Sequence, residues 1–571
     1  MSYIKRVNRK LTARFGGRVS AREQDRVLYL EGELDQWDDV VAAGLMSVNR
    51  KRYDGLVNDI RFTGDHIPLM RLPKIQDDAL NGATPDVLVI GGGIIGSAIA
   101  RECARYDMRI LLVDKEHDIA MQTTSRNDGM VHPGVDLIPG QIKRRYNMRG
   151  NRMYDQVCAE LDVPFLRSGQ YVCFQGRMLA IAAFFGQLYY KLFGPRVQYL
   201  SKNEFFKREP NMSPAINAAL FYPDAGVVSP YGLALAYAEN AVDNGVQASF
   251  DTAVLNMTVE DGRITSVQTN RGTIYPKVVI NAAGVFSEDI ARMAQDRFFS
   301  IHPRKGTNTI LDHKASVRMR TIVSSYGTSD TKKRHTKGGG LVKTIDRNIL
   351  VGPDAVETYL KEDFSTSAEN IAFVFDKQRI TDPALHMRDA ITYFSGIRAA
   401  TYEEDFVIRK GKWTKNIVHA AGIQSPGITA APAIAVDVAK MAAEVLSQTR
   451  EVKSNPSFNP IHKSNIRANE LNETERDALI HENPDYGEIV CRCEQISRGE
   501  VIDALHRSIP CDTLDGVRRR VRPSGGRCQG AFCGPLVLQI IAQECKTSLE
   551  MVGKSGPGGE VLFGSIKEVQ V

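Results

Sequence analysis

The fold is settled by residues 86–96, Asp86-Val87-Leu88-Val89-Ile90-Gly91-Gly92-Gly93-Ile94-Ile95-Gly96. The apolar run reads as a short, fully buried strand. The glycines make a turn, and an apolar-patterned helix is predicted from there to about Tyr106. A second strand, Arg109 to Val113, ends in Asp114, about 20 residues beyond the glycines, where an acid can accept hydrogen bonds from a ribose. Gly91 serves the tight turn, Gly93 the approach of a pyrophosphate, and Gly96 the close packing of helix on sheet. Unpaired N–H groups at the helix N-terminus face the phosphates. A dinucleotide-binding α/β domain is therefore predicted.

Two later segments are expected to return to the same sheet: Val278-Val279-Ile280-Asn281-Ala282-Ala283-Gly284, and His419-Ala420-Ala421-Gly422 followed by Ser425-Pro426-Gly427 and a helix to Leu446. The positive end of that last helix suits a ring that becomes anionic on reduction. A flavin gains negative charge on accepting a hydride, whereas a nicotinamide loses positive charge. FAD is thus favoured over NAD.

With 571 residues the chain exceeds a single hydrophobic core, and 43% hydrophobic with 25% charged residues fits a folded, multidomain protein. The net charge of +6, from 73 basic and 67 acidic residues, is too small for this length to argue for nucleic acid. No apolar run reaches the roughly 18 residues of a spanning helix. A soluble, cytoplasmic chain is expected, with membrane contact at most peripheral.

Residues 1–82 read as a small unit of the α+β kind. A basic, acid-poor stretch (Lys5, Arg6, Arg9, Lys10, Arg14, Arg18, Arg22) is compatible with a transit peptide. It runs without a break into a strand, Val27 to Leu34, a helix, Asp38 to Arg50, and a strand, Leu56 to Ile60. This unit resembles the BON module, which implies docking or membrane association; a plain packing extension is the alternative.

Of the nine cysteines, Cys103, Cys158 and Cys173 are scattered and read as core fillers, while six follow residue 490. After a polar linker (451–486), residues 487–545 carry Cys491-Arg492-Cys493, a helix from about Ser497 to Arg507, the run Arg518-Arg519-Arg520, and Cys528-Gln529-Gly530-Ala531-Phe532-Cys533. Residues 546–571 form a tail. Cys491, Cys493, Cys528 and Cys533 can close one tetrathiolate site, for zinc or for iron and sulfide. The arginine run reads either as a solvated face or as a stabiliser of an anionic cluster and its partner.

Residues 84–450 resemble the D-amino-acid-oxidase-like superfamily of FAD enzymes, particularly its glycerol-3-phosphate dehydrogenase and 2-hydroxyglutarate oxidase branches. The likeness rests on the glycine turn, Thr124-Ser125-Arg126-Asn127-Asp128-Gly129, His132-Pro133-Gly134, His302-Pro303-Arg304-Lys305-Gly306, Leu350-Val351-Gly352-Pro353, Phe394-Ser395-Gly396-Ile397-Arg398 and the Ser425-Pro426-Gly427 turn. It implies an FAD-binding Rossmann-like domain interleaved with a substrate domain whose antiparallel sheet roofs the flavin. It further implies cofactor contacts from Gly91, Gly93, Ile95, Gly96, Asp114, Lys115, Ser125, Asn127, Gly129, Ala283, Gly284, Gly396, Gly422, Ser425, Gly427, Ile428 and Thr429. Arg398 would grip a substrate carboxylate or phosphate, with Lys305 and Lys343 as further anchors and His132 as base or orienting group. The cysteine segment resembles the bacterioferritin-associated-ferredoxin-like [2Fe-2S] module.

The function implied is a dehydrogenase that takes a hydride from a small anionic alcohol and passes electrons through the cluster to a partner, either a protein or a quinone-linked subunit, within an oligomer or heteromeric complex. An amine or secondary amino-acid dehydrogenase is the alternative chemistry. A non-catalytic electron-transfer subunit is the alternative class. Val135-Asp136 stands where glycerol-3-phosphate dehydrogenases carry an arginine after the histidine turn, and a carboxylate there would repel a dianion.

Overall fold

The computed structural model describes residues 2–326 and 339–564; the last seven residues of the predicted tail lie outside them. The N-terminal unit comprises helix Tyr3–Phe15, strands Val19–Gln24 and Val27–Leu34, helix Trp37–Ser47 and strand Gly55–Phe62. The first two strands pair antiparallel and the last two parallel. Lys5, Arg6, Arg9, Lys10 and Arg14 of the basic stretch are exposed on the first helix, because Val7, Leu11 and Phe15, spaced four apart, all fall on its buried face; Arg18 and Arg22 lie beyond its end. That helix and the first strand add to the predicted strand–helix–strand order.

This unit is docked on the catalytic body through Tyr402. The Tyr402 ring stacks on His302 at 4.7 Å, and the Asn58 amide donates to its hydroxyl at 2.7 Å. Lys412 reaches Asp54 at 2.6 Å. The neighbouring Glu403 carboxyl is buried, its Oε2 has no hydrogen-bond partner, and burial pushes it up to about 7 from 4.5. A carboxyl whose folded value is raised loses stability as pH climbs between those two values, and no further above them. Glu403→Gln should change little near pH 5 and raise stability at pH 8 by on the order of 2 kcal/mol. Denaturant melts at both pH values check this.

The nucleotide-type sheet has six strands in the order Gln247–Ser249, Ile110–Val113, Val87–Ile90, Val278–Asn281, Ile417–Ala421 and Val407–Lys410, parallel except for the last. Both predicted returns to this sheet are therefore present. Helix Ile94–Cys103 follows the glycine turn and ends before the predicted Tyr106. A Cβ on Gly96 would lie 1.7 Å from the Gly91 carbonyl oxygen, so the helix packs as closely as only glycine permits.

A nine-stranded, mainly antiparallel sheet forms the second layer, with Ile301–Leu311 paired along its length to Ala390–Thr401. Gln170–Gln175 and Ile301–Leu311 are both strands of this sheet, the antiparallel layer the resemblance implies. Cys103, Cys158 and Cys173 are buried as expected.

The predicted linker is more ordered than its polar composition suggests. Asn472 and Glu475 form a reciprocal capping box that starts helix Glu473–Glu482. Further upstream, the Pro460 carbonyl accepts from Arg101 and the Asn459 carbonyl from Asn240, which fastens the segment to the flavin-type domain.

The cysteine module then packs helices Arg498–Leu505, Leu514–Val521 and Gly534–Glu544 around Val501, Val517 and Ile541. Its arginine run is divided: Arg518 donates to Gln529 between Cys528 and Cys533 at 2.9 Å, Arg522 reaches Glu494 beside Cys493, and the rest of the run turns to the larger domain. Arg520 is fully buried and donates to both carboxylate oxygens of Asp118 at 2.8 Å and to the Tyr231 hydroxyl. Burial alone would raise the Asp118 carboxyl, but the Arg520 guanidinium outweighs it and holds the group below its ordinary value. Arg522 adds an ion pair to Asp346 at 2.7 Å. The run is the seam that joins the two domains.

Candidate functional site

The glycine turn is fixed from the adjacent strand. Asp114 accepts the Gly92 N–H at 2.6 Å on one carboxylate oxygen and the Glu116 N–H at 2.8 Å on the other, and burial lifts its carboxyl to about 6. Lys115 is held between Glu116 and Glu362. Thr124 Oγ1 accepts the Ile94 N–H at 3.0 Å, tying loop 123–129 to the start of the helix. Within that loop Ser125 donates to the Gln122 carbonyl. The Asn127 amide donates to the carbonyls of Thr123 and Thr124, and its oxygen accepts the Gly129 N–H. Asn127 therefore shapes the loop. Ala283 and Gly284 follow the central strand, and a Cβ on Gly284 would meet nothing within 4 Å.

Helix Gly427–Leu446 begins directly after Ser425-Pro426, and its N-terminus meets the loop of His132. The His132 N–H donates to Thr429 Oγ1 at 2.8 Å, and its carbonyl accepts from Asn147 and Asn151. Tyr154 donates to the Ile428 carbonyl. The Gly134 N–H donates to His132 Nδ1 at 3.0 Å. A backbone N–H can only donate, so Nδ1 is unprotonated and the neutral ring carries its proton on Nε2. His132 thus offers a donor, which suits the orienting role of its two predicted ones. Further along the loop Val135 is buried. Asp136 is exposed with φ of 62° and acts on Tyr190 and Tyr222.

Arg398 and Gly396 lie on the long strand pair, opposite Arg304 and Gly306. A Cβ on Gly396 would sit 2.5 Å from the Arg126 carbonyl oxygen, so this strand presses on the 123–129 loop. Both terminal nitrogens of Arg398 donate to the Asp354 carbonyl at 3.2 Å. The guanidinium covers Gly306, where a Cβ would be 2.5 Å from one of its nitrogens. Burial, reinforced by Arg304, lowers its proton affinity, while Asp128 and Asp354 act in the other direction. Glu404, six residues on, is engaged by Arg304 at 2.7 Å and not by Arg398, and Gln424 donates to the other oxygen of Glu404. The structure directs the two lysines elsewhere. Lys305 binds Asp363 at 2.8 Å and Ser365, and Lys343 donates to the carbonyls of Ser316 and Met319.

Sequence reasoning missed Asp128, Asp354 and the His302–Glu357–Arg304–Glu404–Gln424 chain that braces the flavin-side turn. The aspartate directly after Gly352-Pro353 was the available signal for Asp354.

In the terminal module Cys491 and Cys493 have sulfurs 3.8 Å apart, Cys533 interacts with Cys491, and Cys528 with Cys493. Backbone N–H groups of Phe532 and Gly530 lower the Cys528 thiol, favouring thiolate. Among the described residues no three ligating side chains close on one point as a single ion requires. The four sulfurs follow one another in the order Cys528, Cys493, Cys491, Cys533, a chain of thiols from both sequence pairs. Cys511, bonded to the Ala504 carbonyl, is buried away from this chain, and Cys545 is exposed. A cavity of about 1280 Å³ is walled on one side by Ser125, Arg126 and Gly129 and on the other by Cys493, Arg518 and Arg519. The 123–129 loop and the cysteine module thus border a common space.

Residues 86–441 match the family described as FAD dependent oxidoreductase. The chain belongs to the FAD-dependent oxidoreductases. In this oxidoreductase, residues 489–543 further match the BFD-like [2Fe-2S] binding domain. The glycerol 3-phosphate dehydrogenase of Caloramator mitchellensis is 34% identical over 490 residues, 85% of this chain and 100% of that protein. The glycerol 3-phosphate oxidase of Mycoplasma pneumoniae is 29% identical, covering 63% of this chain and 94% of that one. Among solved structures, the dithionite-reduced L-alpha-glycerophosphate oxidase of Mycoplasma pneumoniae with FAD bound superposes with a TM-score of 0.60 at 26% identity. It covers 66% of this chain and 98% of that one.

The oxidoreductase thus uses FAD and a [2Fe-2S] cluster. Its own geometry fits both: a glycine turn with no room for a side chain at Gly96, a long helix aimed at the His132 loop, and a chain of four thiols.

Proposed function

We propose that this FAD-dependent dehydrogenase oxidises glycerol 3-phosphate, the substrate named for its relatives, and sends the electrons through the cluster to a partner. The observation that carries the reading is Arg398: a half-buried guanidinium, laid on Gly306, whose terminal nitrogens both donate to one neutral carbonyl, that of Asp354. Such a group binds a phosphate or carboxylate in two-pronged fashion. Asp136, the residue that argued against a dianion, lies exposed beside Tyr190 and Tyr222, where solvent screens its charge.

In this reading Gly91, Gly93, Ile95 and Gly96 cradle the FAD pyrophosphate, and Asp114 takes the ribose or fixes the turn. The backbone of 125–129, Ala283–Gly284, Gly396, Gly422 and the Ser425–Thr429 turn surround the ring, with Lys115 at the rim. FAD held there would supply the acceptor for the carbinol hydride. His132, through Nε2–H, holds the substrate oxygen as its proton leaves for water, and Arg398 fixes the anionic end. Cys491, Cys493, Cys528 and Cys533 ligate the cluster, which takes electrons singly. The acceptor is a protein or quinone-linked partner, because a cluster that delivers electrons one at a time needs a one-electron carrier to receive them.

The test is anaerobic mixing of the purified holoenzyme with glycerol 3-phosphate, 2-hydroxyglutarate and proline. Bleaching of the flavin absorbance by the first alone is expected. Bleaching only by proline would replace alcohol with amine chemistry, and bleaching by none would leave electron relay as the function.

A further inference from the structure

The cavity between the 123–129 loop and the cysteine module carries positive charge that the protein does not neutralise. Arg126, Arg320, Lys343, Arg347 and Arg518 all line it, and none forms an ion pair among the described residues. Arg126 donates to the Met121 carbonyl and lies over the Phe364 ring, Arg518 donates to Gln529, and Lys343 donates to two carbonyls. The acids on the same wall are already matched: Asp346 and Glu494 by Arg522, Glu239 by Arg507 and Glu470 by Arg467. Glu500 closes the capping box of its own helix, Asp515 lies 3.9 Å from Arg519, and burial raises the Asp128 carboxyl toward its neutral form. Burial, together with the Arg519 guanidinium, lowers the proton affinity of both Arg126 and Arg518. Like charges gathered in a partly desolvated wall without a counter-ion are stabilised when an anion enters.

Strand register connects this space to the substrate anchor. Side chains alternate along strand Ala390–Thr401, so Thr392 and Phe394, which line the cavity, share a sheet face with Gly396 and Arg398. Ile310, paired with Thr392, lines the cavity as well. Arg126 stands at the junction, since it borders the cavity while its carbonyl oxygen meets Gly396. At about 1280 Å³ the space exceeds the roughly 300–1,000 Å³ of a pocket shaped around one small ligand, so its size suits the passage of a small anion better than its enclosure.

We propose that this cavity is an anion vestibule, a loose phosphate-binding site through which the substrate reaches Arg398, and that Arg518 of the iron–sulfur module is one of its specificity-determining residues. Arg320 and Arg347 of the larger domain share that task. Such a wall speeds the approach of a dianion and does nothing for an uncharged alcohol. The identity of the anion rests on the glycerol 3-phosphate reading above; the site itself does not.

The experiment is stopped-flow reduction of the flavin in the anaerobic holoenzyme by glycerol 3-phosphate at graded salt, paired with calorimetric titration of the oxidised holoenzyme with inorganic pyrophosphate. The apparent second-order constant of the wild type should fall by about tenfold between about 20 and about 300 mM salt. In R347Q/R518Q it should be about tenfold lower at low salt and nearly independent of salt, while the limiting rate at saturating substrate changes by less than about twofold. Pyrophosphate should bind the wild type, and the double variant at least about tenfold more weakly. Arg518→Lys keeps the charge and should follow the wild type where Arg518→Gln does not, which separates charge from the hydrogen bond to Gln529. Flavin and iron–sulfur absorbance report that both centres remain in each variant. Salt-independent reduction of the wild type, an unchanged second-order constant in the double variant, or a limiting rate that falls as steeply overturns the vestibule and leaves the substrate reading intact. If glycerol 3-phosphate bleaches nothing, the substrate reading falls and the titration decides the vestibule: weaker pyrophosphate binding by the double variant supports it, and equal binding or none by the wild type overturns it.

Discussion

Replacing Arg398 with methionine should lower kcat/KM for the anionic alcohol by about three orders of magnitude while leaving flavin absorbance unchanged. The side chain is half-buried, and its terminal nitrogens both donate to the Asp354 carbonyl. A charge-assisted, two-pronged contact made in such surroundings is worth roughly 2–5 kcal/mol when one partner is removed, and each 1.36 kcal/mol is tenfold in rate. Arg398→Lys keeps the charge but not the planar fork, so it should recover only part of the loss, chiefly through KM. Gly306→Ala gives an independent check, because its methyl would stand 2.5 Å from the guanidinium and must push it aside. Both variants should lose activity in the same direction, Gly306→Ala less, and steady-state kinetics with a soluble dye acceptor reads all three. A variant at Arg398 that retained full kcat/KM would remove the guanidinium from the substrate site.

What could be read in advance follows from how local the cause is. The strand, turn, helix and second strand around Gly91–Gly96 were legible because each element's pattern is contiguous and each glycine answers to a contact a few residues away, such as Gly96 against the Gly91 carbonyl. Helix boundaries slipped where no capping residue marks them: the glycine-turn helix closes at Cys103, not Tyr106. The ordered linker escaped notice because its partners, Arg101 and Asn240, lie hundreds of residues earlier in the chain. Arg520 was misplaced for the same reason, since nothing near it in sequence reveals Asp118. Lys305 and Lys343 show the limit at the site itself. A motif can place a lysine on the correct strand, but only the surrounding acceptors, Asp363 for one and two carbonyls for the other, show what its ammonium holds.

The cysteine module should prove separable from substrate oxidation. In C491S/C528S, one thiol from each sequence pair is lost, and the iron–sulfur absorbance should disappear with it. Glycerol 3-phosphate should still bleach the flavin anaerobically at a rate within about threefold of wild type, since no residue of residues 487–545 is assigned to the hydride step. Reduction of a one-electron protein acceptor should drop by at least about a hundredfold, and reaction of the reduced enzyme with dioxygen should rise in relative importance. Retention of the module's docking can be checked separately, because Arg520, Arg522 and Arg507 bridge to Asp118, Asp346 and Glu239 through side chains that the substitutions leave in place. The cavity between Ser125–Gly129 and Cys493 supplies the physical reason for expecting one-way dependence: the two sites border a common space without sharing a side chain. If loss of the thiols slowed anaerobic flavin reduction as strongly as acceptor turnover, the module would be part of the catalytic fold itself and not its outlet.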